Sequence, residues 1–172
     1  GQHGHHDHVF TVQNHHTLLT KNTGFGCPIR RHVAVPVEVI IGEVQTQSLL
    51  DFSRVTAKAL PAVAAGVKVS GDPGREVSKV AVLAGAGDSY LGAVLSSGVD
   101  LYITSDLRHH PAQDFSQQSK LTDGPALMDI AHWAAEWVWL DAAKSQLESV
   151  VPQVEFVVSE INTDPWTFAV MQ

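Results

Sequence analysis

The sequence predicts an α/β fold, a parallel or mixed sheet with helices packed on it. Three observations carry this. From Lys79 onward, short apolar runs alternate with helical stretches. The run Val80–Ala84 (VAVLA) is continuously apolar, as a parallel strand covered on both faces requires. The turns between runs hold Gly, Asp and Ser, the residues that close one element and cap the next. Strand-helix repeats of this length imply crossover connections and helices on the sheet.

Taken in order, residues 1–41 hold seven of the ten histidines and little apolar periodicity before Val33, so they read as a His-rich arm rather than core. Metal-binding tail, solvated arm and tag remnant all fit that composition, although the spacing is too irregular for a contiguous tag. Val33–Ile41 alternates and reads as a strand, with Pro36 forcing it to an edge. Ser48, Leu49, Phe52, Val55, Ala59 and Leu60 lay an apolar stripe along a helix expected over Gln45–Ala65, ended or kinked by Pro61. Gly66–Val69 is strand-like, and Ser70–Gly74 (SGDPG) is a turn. After Val80–Ala84, Gly85–Ser89 (GAGDS) leads into a helix over Tyr90–Ser97 closed by Gly98. A strand over Val99–Thr104, a helix after Pro111 and a strand over Ala126–Ile130 follow, then an apolar helix expected to be largely buried. Val154–Val158 reads as a last strand.

Inside the stretch Gly124–Leu140 two polar side chains stand out, His132 and Glu136. Four residues apart on a helix, they share one face with Cβ atoms about 6 Å apart, close enough to grip one ion. An ion pair between them, or a satisfied core histidine, accounts for the same spacing. Context favours metal: if the strands are neighbours, Asp106, His109, His110, His132 and Glu136 converge beyond their carboxyl ends, where α/β sheets gather function. Carboxylate and imidazole donors of this kind suit a divalent metal: zinc, iron or manganese.

Composition bounds the rest. A chain of 172 residues, 44% hydrophobic and of near-zero mean hydropathy, is ample for one domain with a core. A net charge of -7, with Arg30, Arg31 and His32 as the only tight basic cluster, argues against a nucleic-acid polymer as partner. The single cysteine, Cys27, excludes an internal disulfide framework and fits a reducing compartment; with no apolar run of membrane-spanning length, cytoplasm is the expectation and membrane is not. Gly1 in place of an initiator Met is consistent with processing or with a cloning boundary. Dinucleotide binding is weakly supported, because Tyr90 stands where the third glycine of the fingerprint belongs; a glycine turn that lets a helix pack closely is the simpler reading, an anion site at the helix start the other. Nucleophile-elbow, Walker A, H-E-x-x-H and deaminase spacings are absent. Trp133, Trp137 and Trp139 read as core or subunit interface.

Three segments, KVAVLAGAGDS (79–89), DLYITSDLRHHPA (100–112) and LMDIAHWAAE (127–136), resemble in order and spacing the GTP cyclohydrolase 1 type 2 homologs, or NIF-three-like proteins. The resemblance runs from about Gly42 to the C-terminus, includes DPWT near the end, and corresponds to the second lobe of a two-lobed α/β protein. It implies a two-metal centre between lobes with His132 and Glu136 as ligands, and Asp106 and His110 beside it as the groups that move protons. The first-lobe ligands, a His-His pair before Pro and a carboxylate, have no counterpart in their proper setting; His15-His16 echoes the pair without its Pro. The implied activity is metal-dependent hydrolysis of a nucleotide or other heterocycle. The competing expectations are a non-catalytic metal-binding or protein-interaction module, and a lobe without activity whose apolar face drives self-association. The resemblance also implies a ring-like homo-oligomer.

Overall fold

The computed structural model describes residues 39–170. Five strands form one mixed sheet in the order β1-β3-β4-β5-β2. Its centre is parallel: β3 (Glu76–Ala86), β4 (Leu101–Ser105) and β5 (Ala126–Ile130) run side by side. Both edges are antiparallel, with β1 (Ile40–Ser48) on β3 and β2 (Val67–Ser70) on β5. Helix α1 (Leu49–Ala59) joins β1 to β2; α2 (Leu91–Leu95), entered through a short 3-10 turn, and α3 (His109–Thr122) make the two parallel crossovers. Helices α4 (His132–Trp137) and α5 (Leu140–Val150) follow β5.

Strand periodicity divides the core. Ala81, Leu83, Tyr102 and Leu127 face α2 and α3, meeting Leu91, Val94 and Phe115. Val80, Leu101, Ile103 and Met128 point the opposite way, onto Leu49 and Phe52 of α1. All five residues of β4 are buried, as a strand covered on both faces must be.

Asp100 ties the amino ends of β3 and β4 together. Its Oδ2 accepts from Ser78 N and Oγ at 2.9 Å each and from Lys79 N at 2.8 Å. Burial raises its pKa, but the Ser78 and Lys79 donors outweigh that and hold the carboxyl below its ordinary value.

Several expectations are corrected. The helix expected from Gln45 begins at Leu49, because the chain stays in β1 through Ser48, paired with Glu76. Ser48 then caps the helix, its Oγ accepting from Asp51 N at 3.1 Å and donating to Asp51 Oδ2 at 2.7 Å. The expected edge strand Val33–Ile41 lies mostly outside the described residues; Ile40 and Ile41 open β1. The helix expected after Pro111 starts two residues earlier, at His109. The long buried helix is two helices parted at Val138 and Trp139, and of α4 only Ala134 and Ala135 are buried. Val154–Val158 forms no strand; the chain there has no regular structure. Among the described residues, no helix is long and apolar enough to cross a membrane.

Candidate metal centre and crevice

At the carboxyl ends of the parallel strands, the loop after β3 lies against β4. Tyr102 Oη donates to Gly87 O and Thr104 Oγ1 to Gly85 O, each at 3.0 Å, and Gly87 N donates to Ser105 O at 3.3 Å. Burial, first among its causes, pushes the Tyr102 phenol up, so it stays the protonated donor this contact needs. A Cβ on Gly87 would stand 2.0 Å from Thr104 Oγ1 and 2.4 Å from Tyr102 Oη. Close approach of loop to strand, rather than phosphate binding, therefore accounts for that glycine.

Beyond β4, Asp106 adopts a left-handed backbone at φ 55°, a conformation Asp tolerates better than most residues. Its Oδ2 lies 2.5 Å from His132 Nδ1, while Glu136 Oε1 lies 2.7 Å from His132 Nε2. The imidazole thus sits between two carboxylates, one from the β4 loop and one from the next turn of its own helix. Asp106 foremost, then Glu136, raise the His132 pKa against the opposing effect of burial. Only imidazolium donates from both nitrogens at once.

Gly85 lies beside the Nε2-Oε1 pair. Its φ of +84° favours glycine, and a Cβ there would come to 3.4 Å from His132 Nε2 and 3.8 Å from Glu136 Oε1. Absence of that carbon leaves the side of the pair open. The expected buried carboxylate is corrected: the Glu136 side chain is 58% exposed and that of His132 38%. Glu136 therefore draws its counter-charge from His132 and solvent, and burial alone does not demand a metal.

Three of the five expected polar residues converge: Asp106, His132 and Glu136. His109 and His110 open α3, where their rings meet edge to face at 5.2 Å. His109 lines a neighbouring groove with Lys68, Ser70, Ser116 and Asp129; no hydrogen bond among the described residues joins His110 to the triad. Nor, among the described residues, is there a group of three or more His, Cys, Asp or Glu placed to hold a metal ion.

A cavity of about 370 Å³ adjoins the triad, lined by Asp106, His132, Trp133, Lys68, Asp129 and Trp166 among others. Sequence reasoning missed Lys68, Asp129 and Arg108. A charge at the end of an apolar strand (ALMDI) was the available signal for Asp129, whose Oδ2 pairs with Lys68 Nζ at 2.5 Å. Arg108 is held over the β3 loop by Asp88 Oδ2 at 2.5 Å.

Together these features define an α/β unit that presents a histidine between two carboxylates at the carboxyl ends of parallel strands, beside a cavity. The chain belongs to the Duf34/NIF3 (NGG1p interacting factor 3) family, whose model matches residues 9–165. It is 43% identical over 115 residues to the "GTP cyclohydrolase 1 type 2 homolog" of Streptomyces coelicolor, covering 64% of this chain and 39% of that protein. It is 41% identical over 139 residues to the protein of the same name from Mycobacterium leprae, covering 78% of this chain and 35% of the relative. The chain thus spans less than half the length of these relatives. Among solved structures it resembles a Bacillus cereus protein related to NIF3, with 28% identity and a TM-score of 0.64 over 75% of this chain and 35% of that one. It also resembles Staphylococcus aureus protein SA1388, with 25% identity and a TM-score of 0.62 over 76% of this chain and 42% of that one.

Proposed function

We propose that this chain carries half of a divalent-metal site of a hydrolase acting on a nucleotide or related heterocycle. One observation carries the reading: an imidazole nitrogen and a carboxylate oxygen face each other, 2.7 Å apart, on the side that Gly85 leaves open. Nitrogen and oxygen donors of this kind fit zinc, iron or manganese. His132 Nε2 and Glu136 Oε1 would hold the cation, and Asp106 at Nδ1 would fix the ring's orientation, as a carboxylate behind a ligating histidine does. A cation held there supplies Lewis-acid polarisation and an acidified water. This assigns Asp106 first to positioning. His110, exposed on the first turn of α3, is the residue left to exchange a proton with a substrate in the crevice. The remaining ligands come from outside the described residues.

A second reading has its own support. Both nitrogens of His132 are already paired and no third donor joins them among the described residues, as in a structural ion triad of a non-catalytic binding module. Exposed apolar side chains on α5 and beyond, among them Val150, Val157 and Ile161, support self-association in either reading.

Elemental mass spectrometry of protein purified without a tag or chelating column separates the two. Near-stoichiometric metal that disappears in Glu136→Ala, and persists when residues 1–20 are deleted, is the expected result. Metal content equal in parent and Glu136→Ala sinks the site.

A further inference from the structure

Two of the described residues other than glycine have positive φ, Asp106 at 55° and Asp123 at 52°. Asp123 has an ordinary reason: it closes α3 as a left-handed cap, its N–H bonded to Ser119 O. Asp106 closes no helix. It lies between β4 and α3, and a backbone of this kind persists where the surrounding structure over-determines it. What surrounds it therefore decides where its carboxylate points.

Before Asp106 the sheet fixes the chain: Ser105 is buried, pairs with Ile130 of β5 and accepts from Gly87 N at 3.3 Å. After it a side chain does so. Pairing of β4 with β5 ends at Ser105, and Leu107 N donates instead to Asp129 Oδ1 at 3.5 Å. The bond is long, yet its acceptor is a carboxylate withdrawn from water, where an N–H contact weighs more. Asp129 stands opposite Thr104 on β5 with its side chain only 13% exposed, and its second oxygen, Oδ2, pairs with Lys68 Nζ at 2.5 Å. One oxygen serves the loop and the other the edge strand. The Leu107 side chain packs against the core beside α3, and Arg108 is tied to Asp88. The two residues after Asp106 are thus held from β5, from the core and from the β3 loop.

We infer that Asp129 is a positioning residue for the triad: by accepting from Leu107 N it holds the left-handed turn that brings the Asp106 carboxylate to His132 Nδ1. Through Asp106 it keeps the Nε2 edge of the ring turned to Glu136 and to the side that Gly85 leaves open. Lys68 offsets the charge of the nearly buried carboxylate and takes no part in the orientation. The inference deepens the metal reading and rests on it only for what the oriented ring binds. The orientation itself needs no metal.

The test reads the tautomer of His132 in the metal-free whole chain by long-range proton-nitrogen NMR, at a pH above the ring's titration and with the ring assigned through His132→Gln. In the parent the proton should sit mainly on Nδ1, facing Asp106, the closer carboxylate. Asp129→Leu keeps a side chain of similar shape and removes both acceptor oxygens. The ratio of Nδ1–H to Nε2–H should then fall about fivefold, the ratio that one hydrogen bond of ordinary net strength sustains, as Glu136 draws the proton to Nε2. Asp129→Asn retains an acceptor for Leu107 N and should keep the parent ratio, as should Lys68→Ala. A merely structural Asp129 would lower the denaturation midpoint in Asp129→Leu and leave the ratio where it was, which overturns the inference. A parent proton already on Nε2 overturns it too. So does a ratio that falls in Asp129→Asn or Lys68→Ala, a result that stands even if Asp129→Leu fails to fold. Zinc titrated into the same samples separates the two proposals. No zinc bound by the parent, with the ratio moving as expected, removes the metal reading and keeps the positioning role; zinc lost in Glu136→Ala, with a ratio indifferent to Asp129→Leu, does the opposite.

Discussion

The two ends of the parallel strands put carboxylates to different uses. At the amino ends, Asp100 accepts three hydrogen bonds from Ser78 and Lys79, two of them backbone N–H, and its pKa is lowered. At the carboxyl ends, Asp106 and Glu136 face an imidazole instead, and it is His132 whose pKa is raised. A carboxylate satisfied by backbone is committed to the fold, whereas one paired with a titratable ring beside a cavity is available for chemistry. The left-handed turn at Asp106 belongs to this second group, since strained backbone accumulates at functional sites.

The comparison can be broken most forcefully through the scaffold that holds the carboxyl end. Gly87→Ala places a methyl group inside the contact distance of Thr104 and Tyr102, so the β3 loop must leave β4. Urea denaturation should show a loss of about 3 kcal/mol, the upper range for overpacking. Stability equal to the parent would mean the loop does not rest on β4.

An intermediate effect is expected at the amino end. Asp100→Ala orphans the Ser78 and Lys79 N–H groups and should cost about 1–2 kcal/mol at neutral pH. Because the folded pKa is depressed, this contribution is present above the unfolded value of about 3.9 and is lost as pH falls through the folded one. The stability gap between parent and variant should therefore close in acid. A gap that stays constant there would remove Asp100's charge from the account.

The smallest stability effect belongs to the triad. His132 has a raised folded pKa, so its stabilising contribution in the metal-free protein is full below the unfolded value of about 6.5 and lost as pH rises through the higher folded one. With all three side chains more than a third exposed, solvent screening limits it to about 1 kcal/mol or less. Asp106→Asn should lower the His132 pKa, followed by its ring proton in an NMR titration, while barely changing the denaturation midpoint. A large destabilisation with no pKa change would make the triad structural, like Asp100.

Much of this arrangement was legible in the residues. The apolar runs at Val80–Ala84 and Ala126–Ile130 marked parallel strands, because burial on both faces leaves no polar alternation to confuse them. His132 and Glu136 were legible as a pair because helix geometry alone sets their spacing. The stop of β1 at Ser48 was harder: the apolar stripe of α1 begins where the strand ends, and only the capping hydrogen bonds with Asp51 fix the boundary. Val154–Val158 was misread because strand propensity is a local signal and does not by itself seat a segment on a sheet.

By itself, then, the sequence determined the α/β class, the parallel centre of the sheet and the His132–Glu136 pair, all consequences of local period and short-range spacing. Tertiary structure decided what those signals could not contain. It brought Asp106 across from β4 to His132, set Lys68 of one strand against Asp129 of another, and carried Trp166 back to their cavity. Each of these joins residues distant in the chain through strand pairing or a pinned segment, so no local pattern encodes it. Exposure was decided there too: Glu136 faces solvent because the helix that bears it buries only Ala134 and Ala135 against the sheet.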